Sequence, residues 1–275
     1  MLINGETIVC CVIGNPVEHS VSPVMHNAAY AALGLNFIYV PFRVKHIEDA
    51  IKGIRAFGIT GVSVTTPHKI AIMQYMDEID DVAKNIGAIN TIYNDNGKLI
   101  GSNTDYIGAI HALEEKTSLS NKKVAIIGAG GAARAIVFGL KQKNCDITIF
   151  NRTKNAAETL AKDSGSTYMR LDQLNALNKY DILINATSVG MSPKTDEIAV
   201  PKEYLSKDMT VFDIVYNPKE TMLIKQAQAT NCTVVYGYKM LLYQAIDQFE
   251  LFTGKRAPID VMEEALISEL ERKKE

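Results

Sequence analysis

The chain has no tryptophan and only four cysteines in 275 residues. Cys10 and Cys11 are adjacent inside an apolar run, and Cys145 and Cys232 each stand just ahead of β-type residues. No CxxC pair and no His/Cys spacing suggests zinc or a disulfide framework, and the thiols read as small buried hydrophobes. The five histidines are equally scattered, so no metal site is expected. Charge of either sign is also missing in excess: 29 basic against 31 acidic residues leave a net −2, with no cationic footprint for a nucleic-acid partner. No apolar run reaches the roughly 18 residues that a membrane-spanning helix needs. Met1 to Glu6 carries neither the basic region nor the cleavage pattern of a signal peptide, and a cytoplasmic protein with no membrane partner is expected. What remains is a globular composition, 47% hydrophobic and 22% charged, which excludes the disordered and fibrous classes. Its length exceeds one typical domain and falls short of three.

Along the chain the fold class reads as α/β. The first hundred residues alternate short β-branched runs, Ile8 to Ile13, Phe37 to Phe42, Gly61 to Val64 and Ala88 to Tyr93, with helical patterns at Val24 to Leu33, Ile47 to Phe57 and Ile79 to Asn85. Gly34 and Gly58 serve as helix stops, and Asn94 to Gly97 reads as a hairpin turn returning through Lys98 to Gly101. A second alternation begins near Lys122, with strands at Val124 to Ile127, Ile147 to Phe150, Ile182 to Asn185, Val211 to Val215 and Val234 to Tyr236. That half reads as a Rossmann-type, doubly wound dinucleotide fold. The tail, Lys239 to Lys274, is helical by pattern and too short for a third domain, so it must pack on one of the other two.

The strand Lys123 to Ile127 leads directly into Gly128-Ala129-Gly130-Gly131-Ala132-Ala133-Arg134 and a helix ending near Lys141. The first glycine makes the tight turn, the second lets backbone N–H groups approach a pyrophosphate, and the small Ala133 lets helix and strand pack closely. An NAD site usually places a carboxylate at the end of the second strand to accept from the ribose 2′-OH. Here that strand ends Phe150-Asn151-Arg152-Thr153-Lys154, with no carboxylate. Arg152 offers a planar fork for a 2′-phosphate, Lys154 a point charge, and Asn151 and Thr153 further polar groups, so NADP(H) is favoured over NAD(H).

Polar side chains also gather at segment ends in the first half. In Ser20-Val21-Ser22-Pro23, Ser22 is a candidate N-cap with Pro23 behind it, and the two hydroxyls form a donor pair for a substrate carboxylate. Thr65-Thr66-Pro67-His68-Lys69 follows a strand at its C-terminal end, where α/β proteins bind ligands. Asn90-Thr91 and Ser102-Asn103-Thr104-Asp105 add an amide and a carboxylate, which gives Lys69 a candidate partner in Asp105. Such a pair beside a nicotinamide can exchange a proton with a carbinol while hydride is transferred.

With these segments assembled, the chain resembles the shikimate dehydrogenase family from about Gly14 to Gly254. The match is carried by Gly14-Asn15-Pro16, Ser20 to Pro23 with His26-Asn27, Val64 to Lys69, Gly87 to Thr91, Asn103-Thr104-Asp105, Gly128 to Ala132, Asn151-Arg152-Thr153, Asn185 to Ser188, and Gly237-Tyr238 through Met240-Leu241 to Gln244. The resemblance implies reversible NADPH-dependent reduction of 3-dehydroshikimate to shikimate, in aromatic amino-acid biosynthesis, by a monomer or homodimer acting on a small-molecule substrate. It implies that Ser20, Ser22 and Tyr216 hold the substrate carboxylate, that Thr65, Asn90, Asp105 and Gln244 bind ring hydroxyls, and that Lys69 donates and accepts the proton. On the cofactor side it implies Gly128, Ala129, Gly130, Gly131 and Ala132 at the pyrophosphate and Asn151 to Lys154 at the 2′-phosphate. Thr187, Ile214 and Gly237 would line the nicotinamide, with Asp81 near the cofactor. The domains would be 1–102 with 238–275 for substrate, the tail returning to the first domain, and 103–237 for NADP.

Three positions depart from the family pattern. Ser63 stands where the family usually has Asn, Thr66 where a β-branched apolar residue is common, and Ala156 where a second basic residue often follows the Asn-Arg-Thr segment. The nearest alternatives are a quinate/shikimate dehydrogenase using NAD(P) and a non-catalytic NADPH-binding regulator.

Overall fold

The structure, a computed structural model, describes residues 3–273; Met1 and Lys274, the ends of two of the segments above, lie outside the described residues. They fall into two compact units, one holding the chain up to Thr104 together with Gln244–Lys273, the other Asp105–Tyr243.

The first unit is built on a six-stranded mixed sheet of β1 (Ile8–Gly14), β2 (Phe37–Arg43), β3 (Gly61–Val64), β4 (Glu78–Ile79), β5 (Thr91–Asp95) and β6 (Lys98–Ser102), in the order β2-β1-β3-β5-β6-β4. β1 runs parallel to both β2 and β3, and β5 and β6 form the antiparallel hairpin read from Asn94 to Gly97. Helices α1 (Ser22–Ala32), α2 (Ile47–Ala56) and α3 (Asp81–Ile86) connect the strands. Gly34 and Gly58 adopt φ values of 62° and 61°, the left-handed conformation expected of residues that stop α1 and α2.

Some local details differ from the sequence reading. Ser22 is not the N-cap of α1: Val21 holds that position and makes no side-chain cap bond, while Ser20 Oγ accepts the Ser22 N–H at 3.3 Å. The third helix begins at Asp81, because the Asp80 carboxylate accepts the Ala83 N–H at 2.6 Å and sets the helix start. The strand read from Ala88 begins three residues later, at Thr91.

The second unit is all parallel. After α4 (Asp105–Glu114) come β7 (Lys123–Ile127), α5 (Gly131–Gln142), β8 (Asp146–Asn151), α6 (Lys154–Ser164), β9 (Thr167–Arg170), β10 (Ile182–Asn185), β11 (Thr210–Asp213), α7 (Met222–Ala229) and β12 (Thr233–Tyr236). The sheet order β12-β11-β10-β7-β8-β9 reverses direction at β7, the doubly wound arrangement that places a ligand at the carboxyl ends of the strands. Its strands are apolar on both faces, as a sheet covered on both sides requires: Val124, Ile126, Ile149, Leu183, Ile184, Val211 and Phe212 are all fully buried. Expected strand Val211 to Val215 ends at Asp213.

The tail forms α8 (Gly237–Thr253) and α9 (Ile259–Arg272). From Gln244 onward it belongs to the first unit, where α9 packs along α1 with Met262, Leu266 and Leu270 buried. α8 crosses β3 closely enough that a Cβ on Gly61 would stand 2.4 Å from Phe252 Cγ, so only glycine fits there. Beside that crossing His26 stacks on Tyr39 at 4.2 Å between ring centroids, with Phe249 nearby. Burial pushes the His26 imidazole down to about 3, and it packs as a neutral aromatic. All four cysteines are unpaired and buried, and no helix of the described residues is long and apolar enough to cross a membrane.

Candidate active site

In the first unit, backbone bonds stitch the polar segments together at the carboxyl ends of β1 and β3. The Thr65 N–H donates to the Ile13 carbonyl at 2.9 Å and the Asn15 N–H to the Thr66 carbonyl at 3.0 Å. A Cβ on Gly14 would lie 2.4 Å from Thr65 Cγ2, so that close approach also requires glycine. The turn bearing Lys69 is held on two further sides: the buried His68 ring is 2.9 Å from the Val44 carbonyl, and the Lys69 carbonyl accepts from Ile89 N–H at 2.8 Å. Lys69 itself is half-buried.

Asn90, next to Ile89 and only 1% exposed, is the junction of this site. Its carbonyl accepts the Val64 N–H at 2.7 Å. Its side-chain oxygen accepts the Thr104 N–H at 2.8 Å, and its amide nitrogen reaches Thr104 Oγ1 at 3.0 Å and Gln244 Oε1 at 3.4 Å. Thr65, Lys69, Asn90 and Gln244 therefore share one framework, although they come from three separated parts of the chain. Ser20 and Ser22 lie on the segment that leaves β1 for α1 and are joined to each other. Asp81 is not part of this cluster: it is exposed at the start of α3 and pairs with Lys84 at 3.2 Å.

In the second unit Asp105 is buried at the first turn of α4, and Tyr216 follows β11 in the segment where burial pushes its phenol up to about 12. The organising group there is one the sequence reading missed. Asp213, fully buried at the end of β11, accepts from Asn185 Nδ2 at 2.9 Å, from Val215 N–H at 3.1 Å and from Thr221 Oγ1 at 2.6 Å. Asn185 Oδ1 in turn accepts from Thr187 N–H and Thr187 Oγ1 at 3.1 and 2.6 Å. Asp213 thus ties the loop carrying Thr187 to the loop carrying Ile214 and Tyr216. The signal available in the sequence was a carboxylate inside the run Val211 to Val215, since a charge in a buried strand has to be partnered.

The glycine loop has the expected shape. Gly128 takes φ +115°, and a Cβ there would meet Thr187 Cγ2 at 2.9 Å and the Ala186 carbonyl at 3.0 Å. At Gly130, which precedes α5 and makes no side-chain cap bond, a Cβ position has nothing within 4 Å. An open glycine at an uncapped helix N-terminus suits a pyrophosphate. At the end of β8, Asn151 Nδ2 donates to the Thr153 carbonyl at 2.8 Å, Arg152 is exposed, and Lys154 begins α6 with Glu158 at 3.4 Å. Arg152 is accordingly the better placed cation for a phosphate, because Lys154 shares its charge with a carboxylate. Gly237 makes a close approach of its own: a Cβ would lie 2.5 Å from the Ile214 carbonyl group.

Three family profiles match the chain: a shikimate dehydrogenase substrate binding domain over residues 12–92, shikimate/quinate 5-dehydrogenase over 111–230 and a shikimate 5′-dehydrogenase C-terminal domain over 237–267. A shikimate dehydrogenase (NADP(+)) of Methanobrevibacter smithii is 47% identical, covering 96% of this chain and 98% of its own. A shikimate dehydrogenase solved in complex with NADP+ superposes with a TM-score of 0.93 at 46% identity, covering 98% of each chain. The enzyme of Thermus thermophilus, solved with NADP(H) and shikimate, gives 0.87 at 32% identity, covering 95% of this chain and 99% of its own.

Proposed function

The chain belongs to the shikimate dehydrogenase family, and from that premise we propose that it interconverts 3-dehydroshikimate and shikimate with NADP(H). The observation that carries the reading is the framework around Asn90, which brings Thr65, Lys69 and Gln244 together at strand ends. A polyhydroxylated ring carboxylate needs several hydroxyl partners and an anion site. Thr65, Asn90, Asp105 and Gln244 supply the first, and Ser20, Ser22 and Tyr216 the second.

The cofactor supplies hydride chemistry when bound, and the residues present fit it: Gly128 to Ala132 for the pyrophosphate, Asn151, Arg152, Thr153 and Lys154 for the 2′-phosphate, and Thr187, Ile214 and Gly237 for the nicotinamide end. In the reducing direction the substrate's C3 carbonyl oxygen gains negative charge. The Lys69 ammonium gives that oxygen a proton, and in the oxidising direction the neutral amine takes it back. Asp105, buried at the first turn of α4, is the carboxylate that the resemblance assigns to a ring hydroxyl. By the resemblance Asp81 lies near the cofactor, exposed at the start of α3 and paired with Lys84 at 3.2 Å.

Initial rates with shikimate and quinate, each with NADP+ and NAD+, test this reading. Shikimate with NADP+ should give the highest kcat/KM; a preference for quinate or for NAD+ would replace it with a quinate/shikimate dehydrogenase. NADP+ binding without turnover of either acid would indicate the regulator. Within the same assay, Arg152→Ala should raise the KM for NADP+ by about 10- to 100-fold, the loss of a charge-assisted phosphate contact, and leave the KM for NAD+ nearly unchanged. Equal effects on both cofactors would remove Arg152 from the 2′-phosphate site.

A further inference from the structure

Beneath the residues assigned to the substrate ring runs a buried polar chain whose bonds all point one way, and its hub is Gln248 on α8. Two backbone groups set the direction. The Thr104 N–H faces Asn90 Oδ1 at 2.8 Å, so that atom has to be the amide oxygen, and Asn90 Nδ2 has to face Gln244 Oε1. The Asn90 carbonyl faces one amide atom of Gln248 at 3.2 Å, which has to be Nε2. The same nitrogen donates to Thr91 Oγ1 at 2.8 Å, and Thr91 donates to Asn90 Oδ1 at 2.7 Å.

Gln248 Oε1 is thereby turned to Ser63, whose hydroxyl donates to it at 2.6 Å, and Ser63 Oγ accepts from Tyr39 OH at 2.6 Å. A serine has one proton to give, and this one goes to Gln248. Ser63 is therefore committed away from any ring hydroxyl. An amide is supplied to this layer from α8 instead of from β3, where the family resemblance led one to expect asparagine. The whole chain is sealed: exposure runs from 0% at Thr91 to 7% at Gln244, with Gln248 at 1%. Turning any one amide over would set donor against donor at Asn90 or Gln244, or acceptor against acceptor at Gln248, in a dry environment, so each bond holds the next in its orientation.

We propose that Gln248 is a positioning residue for the reaction, holding the Asn90 amide, and through it that of Gln244, in a single donor–acceptor orientation at the substrate site. The proposal rests on the shikimate reading above. It explains why a shorter residue at position 63 is tolerated, and it assigns a role to a side chain outside the expected site.

The test uses Gln248→Glu and Gln248→Met in the full-length enzyme, with shikimate and NADP+ varied in turn and the thermal midpoint recorded. Glutamate keeps the shape, but as a carboxylate it only accepts, so the Asn90 carbonyl and Thr91 lose their donor. The kcat/KM for shikimate should fall about 10- to 100-fold in both variants, the scale of a small misplacement of binding groups, while the KM for NADP+ stays at the wild-type value. As the pH is lowered, the activity of Gln248→Glu relative to wild type should recover, since the protonated carboxyl regains a donor; Gln248→Met should show no such recovery. A merely structural role would lower the thermal midpoint and the active fraction but leave the shikimate KM and the pH trend of that ratio unchanged, and that result overturns the proposal. If neither variant folds, Ser63→Ala, which removes the proton given to Gln248 together with the acceptor of the Tyr39 hydroxyl, carries the test through the same lowered kcat/KM for shikimate, and an unaltered value overturns the proposal. Wild-type turnover separates the two readings: an active wild type with unaffected variants sinks the role of Gln248 alone, whereas a wild type inactive on shikimate sinks both.

Discussion

Replacing Lys69 with alanine is expected to lower kcat for shikimate oxidation by about 10²- to 10⁴-fold, the usual range for a lost general acid or base, with a smaller change in the shikimate KM. The expectation rests on how the residue is held. The turn that carries it is bonded to β1 on one side and to Ile89 on the other, while the buried His68 beside it is anchored to Val44. A lysine on a merely solvated turn would have no need of that fixation. Lys69→Arg separates two roles. Arginine keeps the positive charge but has no proton that can be withdrawn at accessible pH, so activity should stay low if Lys69 exchanges a proton. Substantial recovery in Lys69→Arg would make the residue an electrostatic partner of the substrate. Turnover within a few-fold of wild type in Lys69→Ala would remove it from the chemistry altogether.

Much of this architecture was legible because it is local. The strands Gly61–Val64 and Ile182–Asn185 coincide with their apolar runs, and the Gly128 turn follows its strand as the spacing demands. What escaped was set by partners far along the chain or by very short elements. β4 is two residues long and, among the described residues, pairs only with β6, and α4, whose glycine at position 108 and mixed pattern hide its periodicity, is buried on most of its surface. Ser22 looked like a cap from its place before Pro23, but the chain turns one residue earlier and the cap position falls to Val21. Gln248 and Asp213 escaped for a shared reason. Asp213 stands in an apolar run and Gln248 beside Asp247 on a mixed helix, and the partners of both lie elsewhere in sequence: Gln248 meets Ser63 from 185 positions away, Asp213 meets Asn185 from 28. Pattern reading identifies which side chains are buried; it does not identify which buried polar groups find one another.

Asp213 carries the second large effect. Asp213→Ala should destabilise the protein by about 3 kcal/mol or more, because the Asn185 amide, the Val215 N–H and the Thr221 hydroxyl are left as buried donors, each costing roughly 1–3 kcal/mol unsatisfied. The loss is offset in part by the carboxylate's own cost. Burial pushes Asp213 up to about 6 from 3.8, against the pull of its three donors. A raised value means that the folded protein binds a proton in this interval more readily than the unfolded chain, so this group favours the fold at acid pH. That contribution disappears as the pH rises from about 4 through about 6. The difference of about 2 pH units corresponds to a penalty on the order of 3 kcal/mol on the ionised form at neutral pH. Alanine removes that penalty along with the hydrogen bonds, so the stability gap between wild type and Asp213→Ala should be wider at pH about 5 than at pH about 8, by about 1 kcal/mol. All other titrating groups are common to the two proteins and cancel in that comparison, which guanidinium unfolding at the two pH values would measure. A gap of equal width would mean that the three donors hold Asp213 ionised at both, and a narrower gap at the acid end would reverse the sign assigned to its burial. With Asp213→Ala the affinity for NADP+ should also fall, since the loops bearing Thr187 and Ile214 lose the group that joins them.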